Sequence, residues 1–469
     1  MNSKVATDTR RDSVGPAKWL EWLRGWTDVL GPMVVAAVTY AAALSTYSVL
    51  PILRDALGYT MTAQRLSQLG YLAYGTQPAT VAVEPSAFVT PGYPIFLSAI
   101  YWFFRSVPGG AEEIARQAHP VVLGAQFVLA LATVGLIAWS GKALGGTRLA
   151  WVAGLAAALY LPFGWASSVA LSEVLGTVLA AGQLLVALLL TAEKNERPWW
   201  LLLLFGVVSG ALAMVRPAFA LWVAVPIVYL FVRNWGAWRN LARWSVLVAA
   251  GLAIVVVPWV ARNAIVLHRF IPLSSNSGTP MFDATGGGEL TAEERAVYDA
   301  ATAVGADDPA ALGEVAMYRM RQAWNADALG LVGMRSARAW QWVTVPWAAP
   351  IDVHWELANQ PEENASAIFV DTGAARLERT FLSLLPAVRY YQYALVAFAI
   401  VGVLFVRRSR RLLVVLSVPL YTVAVHALTL FTNRYFFPAM PAVIVAAAAA
   451  GYGVYSVAVR WIRQPRMAG

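Results

Sequence analysis

The chain contains no cysteine, which excludes a disulfide framework, a thiolate metal site and a cysteine nucleophile. Charge is scarce as well. Asp, Glu, Lys and Arg make up 13% of the 469 residues, about half of the roughly 25% found in soluble domains. A chain so poor in ionisable surface is neither an ordinary soluble enzyme nor a disordered protein. No Gly-x4-Gly-Lys-Ser/Thr loop is present to cradle a nucleotide. Histidine is limited to His119, His268, His354 and His426, with no His-x3-His or His-Glu-x2-His spacing.

Apolar residues fill the space left by charge, at 59%, and the mean hydropathy is +0.58. Lys and Arg outnumber Asp and Glu by 35 to 26, a net +9 that would ordinarily raise nucleic acid as a partner. Here the basic residues stand at the ends of apolar runs, so nucleic acid is set aside and membrane lipid is the expected surrounding. The expected fold class is an all-α polytopic membrane protein.

A bilayer crossing needs about 20 mostly apolar residues. Ten runs qualify, near 30–52, 119–140, 149–168, 172–192, 199–215, 218–233, 244–262, 386–406, 412–431 and 436–458. The stretch 91–104 is short and opens Pro-Gly-Tyr-Pro, which predicts a juxtamembrane or re-entrant helix. Ten spans put every strongly basic short segment on one side, as the positive-inside rule requires. These are the tail with Lys4, Arg10, Arg11, Lys18 and Arg24, then Lys142/Arg148, Lys194/Arg197, Arg233/Arg239/Arg243, Arg407/Arg408/Arg410/Arg411 and Arg460/Arg463/Arg466. Counting 91–104 as an eleventh span would invert all but the first. The first span is expected to be an uncleaved anchor.

The expected organisation is a cytoplasmic tail at 1–28 and a transmembrane module at 29–262, whose extracytoplasmic loop 53–118 carries the active site. A partly helical extracytoplasmic loop (263–385), C-terminal spans (386–458) and a cytoplasmic tail (459–469) follow, with no soluble domain after the last span. The expected location is a plasma membrane, bacterial, with the site facing outward. Loop 263–385 holds 15 of the 26 acids and eight arginines, so it is locally −7 while the remainder is +16. It predicts helices over Glu289–Ala303 and Asp308–Asn325, N-capped by Thr291 and Asp308, and a turn or hinge at Gly286-Gly287-Gly288.

Ionisable groups at membrane depth default to a functional reading. Asp55 follows the first span directly. Tyr59 lies one helical turn on and would share its face, although pairing of Asp55 with Arg54, or simple solvation, also explains a helix-end carboxylate. Glu84 lies in the same loop, and alone it reads as a solvated acid. Glu173 opens the fourth span, where the helix dipole favours a carboxylate by about 0.3–1 kcal/mol; its apolar neighbours point it instead towards the bundle interior. Arg216, Arg262 and Arg434 stand at outer span ends against the positive-inside trend. One such arginine would snorkel; three suggest an anionic target such as a lipid phosphate. Base and phosphate-binding groups facing away from ATP and sugar nucleotides imply a lipid-linked donor of the transferred group.

At these residues the chain resembles the GT-C superfamily of integral membrane glycosyltransferases, in the branch of protein O-mannosyltransferases and the lipid A aminoarabinose transferase. The resembling motifs are Arg54-Asp55, Thr90-Pro91-Gly92-Tyr93-Pro94-Ile95-Phe96-Leu97, Ser172-Glu173, Arg216-Pro217, Pro258-Trp259-Val260-Ala261-Arg262-Asn263 and Asn433-Arg434-Tyr435-Phe436-Phe437-Pro438. They fall in the family's order over roughly 30–275 and 386–450. The resemblance implies a polyprenyl-phosphate sugar donor, inversion at the anomeric carbon and Asp55 as general base. Glu84 would be a second carboxylate, because Ala56 stands where many relatives carry an acid. Arg216, Arg262 and Arg434 would bind the donor phosphate. Arg54, Tyr59, Tyr93, Glu173, Asn263 and Tyr435 would contact donor or acceptor, and a glycan, lipid or protein would be the acceptor. No metal ligand is assigned, and dependence on a divalent ion is left open.

Trp324, Trp340, Trp342, Trp347 and Trp355 in the second loop suit either sugar stacking or an interfacial belt. Two other classes remain open. A polytopic transporter or lipid flippase would place charges at the bilayer midplane and show repeated halves, and neither is visible. A non-catalytic scaffold would use the acidic loop to dock a partner.

Overall fold

The computed structural model describes residues 16–46, 50–78, 81–192, 197–276, 278–303, 307–359, 367–368, 378–406, 409–427 and 432–463. α1 (Pro16–Leu44) leads into β1 (Ile52–Leu53) and α2 (Arg54–Leu69). Next come α3 (Gly92–Phe104), α4 (Gly110–Gly145), α5 (Thr147–Ala158), α6 (Pro162–Ala166) and α7 (Glu173–Leu190). After α8 (Trp199–Val215) a 3₁₀ segment, Pro217–Val223, precedes α9 (Ala224–Arg233) and α10 (Trp238–Val266). The second large segment contributes α11 (Gly278–Ala284), α12 (Ala292–Ala303), α13 (Asp308–Thr344) and α14 (Ala349–Asn359). Its β2 (Ala367–Ile368) pairs antiparallel with β1, Ile52 opposite Ile368 and Leu53 opposite Ala367. The chain closes with α15 (Arg379–Val401), α16 (Leu412–His426), α17 (Asn433–Phe436) and α18 (Met440–Arg463).

Six helical stretches among the described residues are long and apolar enough to cross a bilayer: Trp26–Leu44, Gly110–Gly145, Glu173–Leu190, Trp238–Val266, Arg379–Phe405 and Asn433–Val459. The chain is an all-α polytopic membrane protein. Three further expected spans are shorter apolar helices, Trp199–Ala213, Pro217–Arg233 and Leu412–His426. The expected span 149–168 is broken. α5 stops at Ala158, and Pro162 starts the short α6. Such a break survives in apolar surroundings only when the freed carbonyls find donors. Thr39 Oγ1, Tyr40 Oη and Tyr391 Oη donate to the carbonyls of Ala158, Ala157 and Ala156 at 2.7, 2.7 and 2.8 Å. α1 also departs from expectation, starting at Pro16 and ending at Leu44 rather than running 30–52. The 91–104 stretch forms α3, and its 13 residues reach only about 20 Å.

Small residues let the helices cross closely. A Cβ on Gly206 would lie 2.1 Å from the Val248 carbonyl oxygen, and one on Gly251 2.2 Å from that of Leu203, so α8 and α10 meet backbone to backbone. A Cβ on Gly154 would sit 2.6 Å from the ring of Pro32, joining α5 to α1. Basic residues anchor the end of the bundle remote from Glu173, about 27 Å away along the 18 residues of α7. Lys142 pairs with Asp28 at 2.9 Å. Arg411 donates to the carbonyls of Ala143 and Leu188, and Arg197 to that of Leu190. Lys4, Arg10, Arg11, Lys194, Arg407, Arg408 and Arg466 lie outside the described residues.

In the second segment, Thr291 and Glu294 form a reciprocal capping box at the start of α12. The cap of α13 is Asp307, whose carboxylate accepts from the Ala310 amide, rather than the expected Asp308. A cap must be the last non-helical residue, and Pro309 fits the first turn one position later. α13 runs well past Asn325 because the helix resumes after a kink at Asp327 (φ −156°, ψ 86°). Gly286, Gly287 and Gly288 all have positive φ and form a turn. Trp342, at the end of α13, donates its indole N–H to the Thr432 carbonyl and packs on His426 and Phe436. This docks the segment onto the charged end of α16 and α17.

Candidate functional site

Four local breaks in helix geometry converge at one end of the bundle. Arg54 turns the chain out of β1 with φ +40°, placing Asp55 in the first turn of α2. Glu173 is the first residue of α7. Arg216 has φ −137° and ψ 89°, because Pro217 drives the preceding residue out of the helical region. Arg434 sits in the single turn of α17, which Pro438 converts to 3₁₀ geometry before α18 begins.

These four side chains form a continuous ionic chain. Arg216 Nη2 lies 2.5 Å from Glu173 Oε1, a charge contact rather than an aligned hydrogen bond. Arg434 Nε approaches the same oxygen at 3.7 Å, and Arg434 Nη2 donates to Asp55 Oδ2 at 2.5 Å. The side chains grade from enclosed to open: Glu173 is 2% exposed, Arg216 14%, Arg434 26% and Asp55 45%. Asp55 is therefore the member an incoming group reaches first. The Tyr435 ring lies beside both guanidinium groups, 5.8 Å from Arg216 and 5.3 Å from Arg434. Gly176 makes room for the Arg216 side chain, since a Cβ there would come 2.9 Å from Arg216 Cγ.

The ionic chain sits between two cavities. On the Asp55 side lies a cavity of about 680 Å³ lined by Arg54, Asp55, Trp347, Asp352, Trp355 and Arg434 among others. On the Arg216 side lies one of about 380 Å³ that includes Thr90, Ser172, Asn276, His426 and Tyr435. A recess of about 110 Å³ between them is bordered by all four charged residues. Arg216 Nε, Glu173 Oε2 and Asn276 Oδ1 border that recess and are buried without a protein hydrogen bond. Beyond the Arg216 cavity, and sharing Val215 with it, runs an apolar groove of about 640 Å³ lined by Leu66, Met214, Val255 and Trp259.

Tyr59 enters the recess from α2. Its ring packs edge-on against Tyr93 and Tyr74, and its hydroxyl meets the Ser172 side chain. Burial, reinforced by the Asp55 charge, pushes its phenol up to about 12, so it stays a neutral donor. Tyr93 supports Tyr59 from behind and donates to Gln126 Oε1 at 2.9 Å; it lines neither cavity. Its motif is held against α8, where a Cβ on Gly92 would lie 2.6 Å from the Met214 carbonyl oxygen.

Three expected site residues stand apart from the ionic chain. Arg262 Nη1 donates to the Ser86 carbonyl and Asn263 Oδ1, and its Nη2 to the Leu72 carbonyl at 2.8 Å. Its guanidinium thus pins the loop between α2 and α3 to α10, and the residue borders the apolar groove rather than the ionic chain. Asn263 is fully buried and spends its amide on the Ile271 carbonyl. Glu84 is exposed and borders neither cavity. Glu173, expected only as a contact residue, is the second carboxylate that the fold brings to Asp55 through Arg434. Asp55 itself pairs with Arg434 and not with Arg54.

Asp352 joins the site although no sequence motif marks it. It lines the larger cavity, its Oδ2 accepts from Trp347 Nε1 at 2.6 Å, and it feels the charges of Arg434 and Glu173. Partial desolvation by the surrounding protein pushes the carboxyl above its ordinary range, against the Trp347 hydrogen bond and the Arg434 charge. Among the five tryptophans, Trp342 and Trp347 are buried, while Trp324, Trp340 and Trp355 are exposed. Trp347 and Trp355 border the Asp55 cavity. Among the described residues no group of three or more His, Asp or Glu is placed to hold a metal ion.

No family model matches the chain, and no curated protein does. Solved structures do. ArnT from Cupriavidus metallidurans bound to undecaprenyl phosphate is 16% identical, over 94% of this chain and 81% of that one, with a TM-score of 0.40. The archaeal oligosaccharyltransferase AglB from Archaeoglobus fulgidus, in complex with an inhibitory peptide and a dolichol-phosphate, is 13% identical over 95% of this chain, with a TM-score of 0.49. The match covers 53% of AglB, so this chain spans about half its length.

Proposed function

We propose that the chain is a glycosyltransferase that moves a sugar from a polyprenyl-phosphate donor to an acceptor hydroxyl, on the extracytoplasmic face of the membrane. The observation that carries this reading is the ionic chain Asp55–Arg434–Glu173–Arg216, set between two cavities, one of which adjoins an apolar groove. The apolar groove beside the Arg216 cavity suits an isoprenoid tail, with its phosphate meeting Arg216 and Arg434. The cavity lined by Asp55 and the tryptophans suits the acceptor.

In the proposed reaction the acceptor oxygen attacks the anomeric carbon from the Asp55 side. The new O–C1 bond forms as the C1–O bond to phosphate breaks, with inversion. The acceptor's proton passes to Asp55, and the bonding electrons leave on the phosphate. Base catalysis of this kind contributes about 10²–10⁴-fold, and fixed guanidinium groups stabilise the charge developing on the leaving group. Glu173 holds both arginines in place, and Tyr59 offers a neutral O–H beside them.

Two measurements test the proposal. Mass spectrometry of lipid co-purifying with the detergent-extracted protein should find a polyprenyl phosphate, and Arg216→Met should deplete it. In proteoliposomes supplied with polyprenyl-phosphate sugars, Asp55→Asn should abolish transfer while leaving the melting temperature within a few degrees of the parent. Full transfer by that variant, or lipid movement without any glycosyl transfer, would reject the assignment.

A further inference from the structure

The larger cavity carries more than the base. Asp352 comes from α14, in a segment far in sequence from the charged residues, yet it borders the same space as Asp55, Arg434 and Trp355. Trp347 fixes the Asp352 carboxylate by donating to Oδ2, and it is itself held by edge-on packing against Phe437. Oδ1 has no protein hydrogen bond among the described residues, and the residue is open to the cavity. The site therefore presents a rigidly oriented acceptor oxygen next to an accessible indole, Trp355, which is 61% exposed. A fixed carboxylate oxygen recognises O–H donors, and an indole face covers the C–H face of a saturated ring. The volume, about 680 Å³, falls within the roughly 300–1,000 Å³ of small-molecule sites.

We propose that Asp352, Trp347 and Trp355 form an acceptor subsite for a carbohydrate, in which Asp352 Oδ1 accepts from a ring hydroxyl neighbouring the one that reacts. The inference rests on the transferase reading of Asp55 and specifies its acceptor. Trp347 positions the carboxylate; Asp352 and Trp355 touch the ligand. The carbonyl-rich backbone of a peptide would bring chiefly acceptors and amide donors to this wall, and a saturated sugar ring matches the pairing of one acceptor oxygen with one ring face.

The substitution Asp352→Asn reverses the polarity of the subsite. Asparagine has one side-chain oxygen, which the Trp347 N–H claims, so an NH₂ donor faces the ligand where an acceptor stood. Saturation-transfer difference NMR on the protein in nanodiscs, with the methyl glycosides of glucose, mannose, galactose and arabinose as probes, reads binding without turnover. At least one glycoside should bind saturably. Asp352→Asn should weaken it tenfold or more, the loss expected for a hydrogen bond to a charged group, and Trp355→Ala, a change at an exposed side chain, should also weaken it. Failure of every glycoside to bind, equal binding by Asp352→Asn and Trp355→Ala, or Asp352-dependent binding of a Ser/Thr peptide in place of any glycoside would overturn the subsite. Glycoside binding by a protein that performs no transfer would instead remove the transferase reading and leave the subsite standing.

Discussion

Glu173 and Arg216 provide the sharpest physical test of the ionic chain. Their charges approach to 2.5 Å, which at an effective dielectric near 20 corresponds to about 7 kcal/mol of attraction. Much of this is offset by removing both ions from water, so the pair itself is worth far less than its Coulomb energy. Removing one partner is different, because the other charge stays buried. Arg216→Met leaves a carboxylate that is 2% exposed with only Arg434 Nε nearby, at 3.7 Å, and should cost about 3–5 kcal/mol. Glu173→Gln should fall near the lower figure, because Arg216 is 14% exposed and turns towards solvent more readily. The double variant replaces both charges and should lose much less than the sum, a coupling of about 2–3 kcal/mol. Equilibrium SDS titration in mixed micelles, followed by tryptophan fluorescence, measures all four proteins. Additive losses within about 0.5 kcal/mol, or single losses below about 1 kcal/mol, would refute the assignment of Glu173 as the buried counter-ion.

Gly206→Ala should destabilise the α8–α10 crossing by about 1–3 kcal/mol, because its Cβ would meet the Val248 backbone, whereas Gly124→Ala, with open space at its Cβ, should show no such loss; SDS titration compares the two. Arg262→Gln should raise hydrogen exchange across residues 72–87, since the Leu72 and Ser86 carbonyls lose charged donors; unchanged exchange would show that the loop is held otherwise. Glu294 is lowered to about 2, first by its hydrogen bond from Arg319 and next by the Thr291 amide. Because its folded value lies below its ordinary one of 4.5, its contribution is complete above that value and is lost as pH falls through about 2. Exchange in α12 and the first half of α13 should therefore rise over that acid window, and Glu294→Gln should flatten the response.

The sequence made the spans and the four charges of the ionic chain legible for the same reason: against 59% apolar composition, a carboxylate or guanidinium at a span end stands out. The same contrast misleads at Arg262 and Asn263. A polar group that meets backbone carbonyls looks, in sequence, just like one that meets a ligand, and only the fold of the loop between α2 and α3 separates the two. Glu84 was attractive through its nearness to Asp55 in sequence, whereas Glu173 reaches Asp55 through Arg434, across more than a hundred residues. Asp352 was hidden by abundance. It is one of 15 acids in its segment, and nothing local marks it except Trp347 five residues earlier. The broken span at 149–168 was illegible because hydropathy reports apolarity, and the donors that tolerate the break come from α1 and α15.

On the proposed reading, the pairing of Asp55 with Arg434 works as a safety catch. Two anions and two cations balance within the ionic chain, and water arriving there finds the Asp55 carboxylate already engaged. On that reading, the singly charged phosphodiester of the donor competes for Arg434 and thereby frees Asp55 when there is a sugar to transfer. The spent carrier, now a phosphomonoester with a second ionisable oxygen, binds the guanidinium groups at least as strongly. It should hold the catch open until it departs, so carrier release, rather than bond making, becomes the step at which turnover is governed.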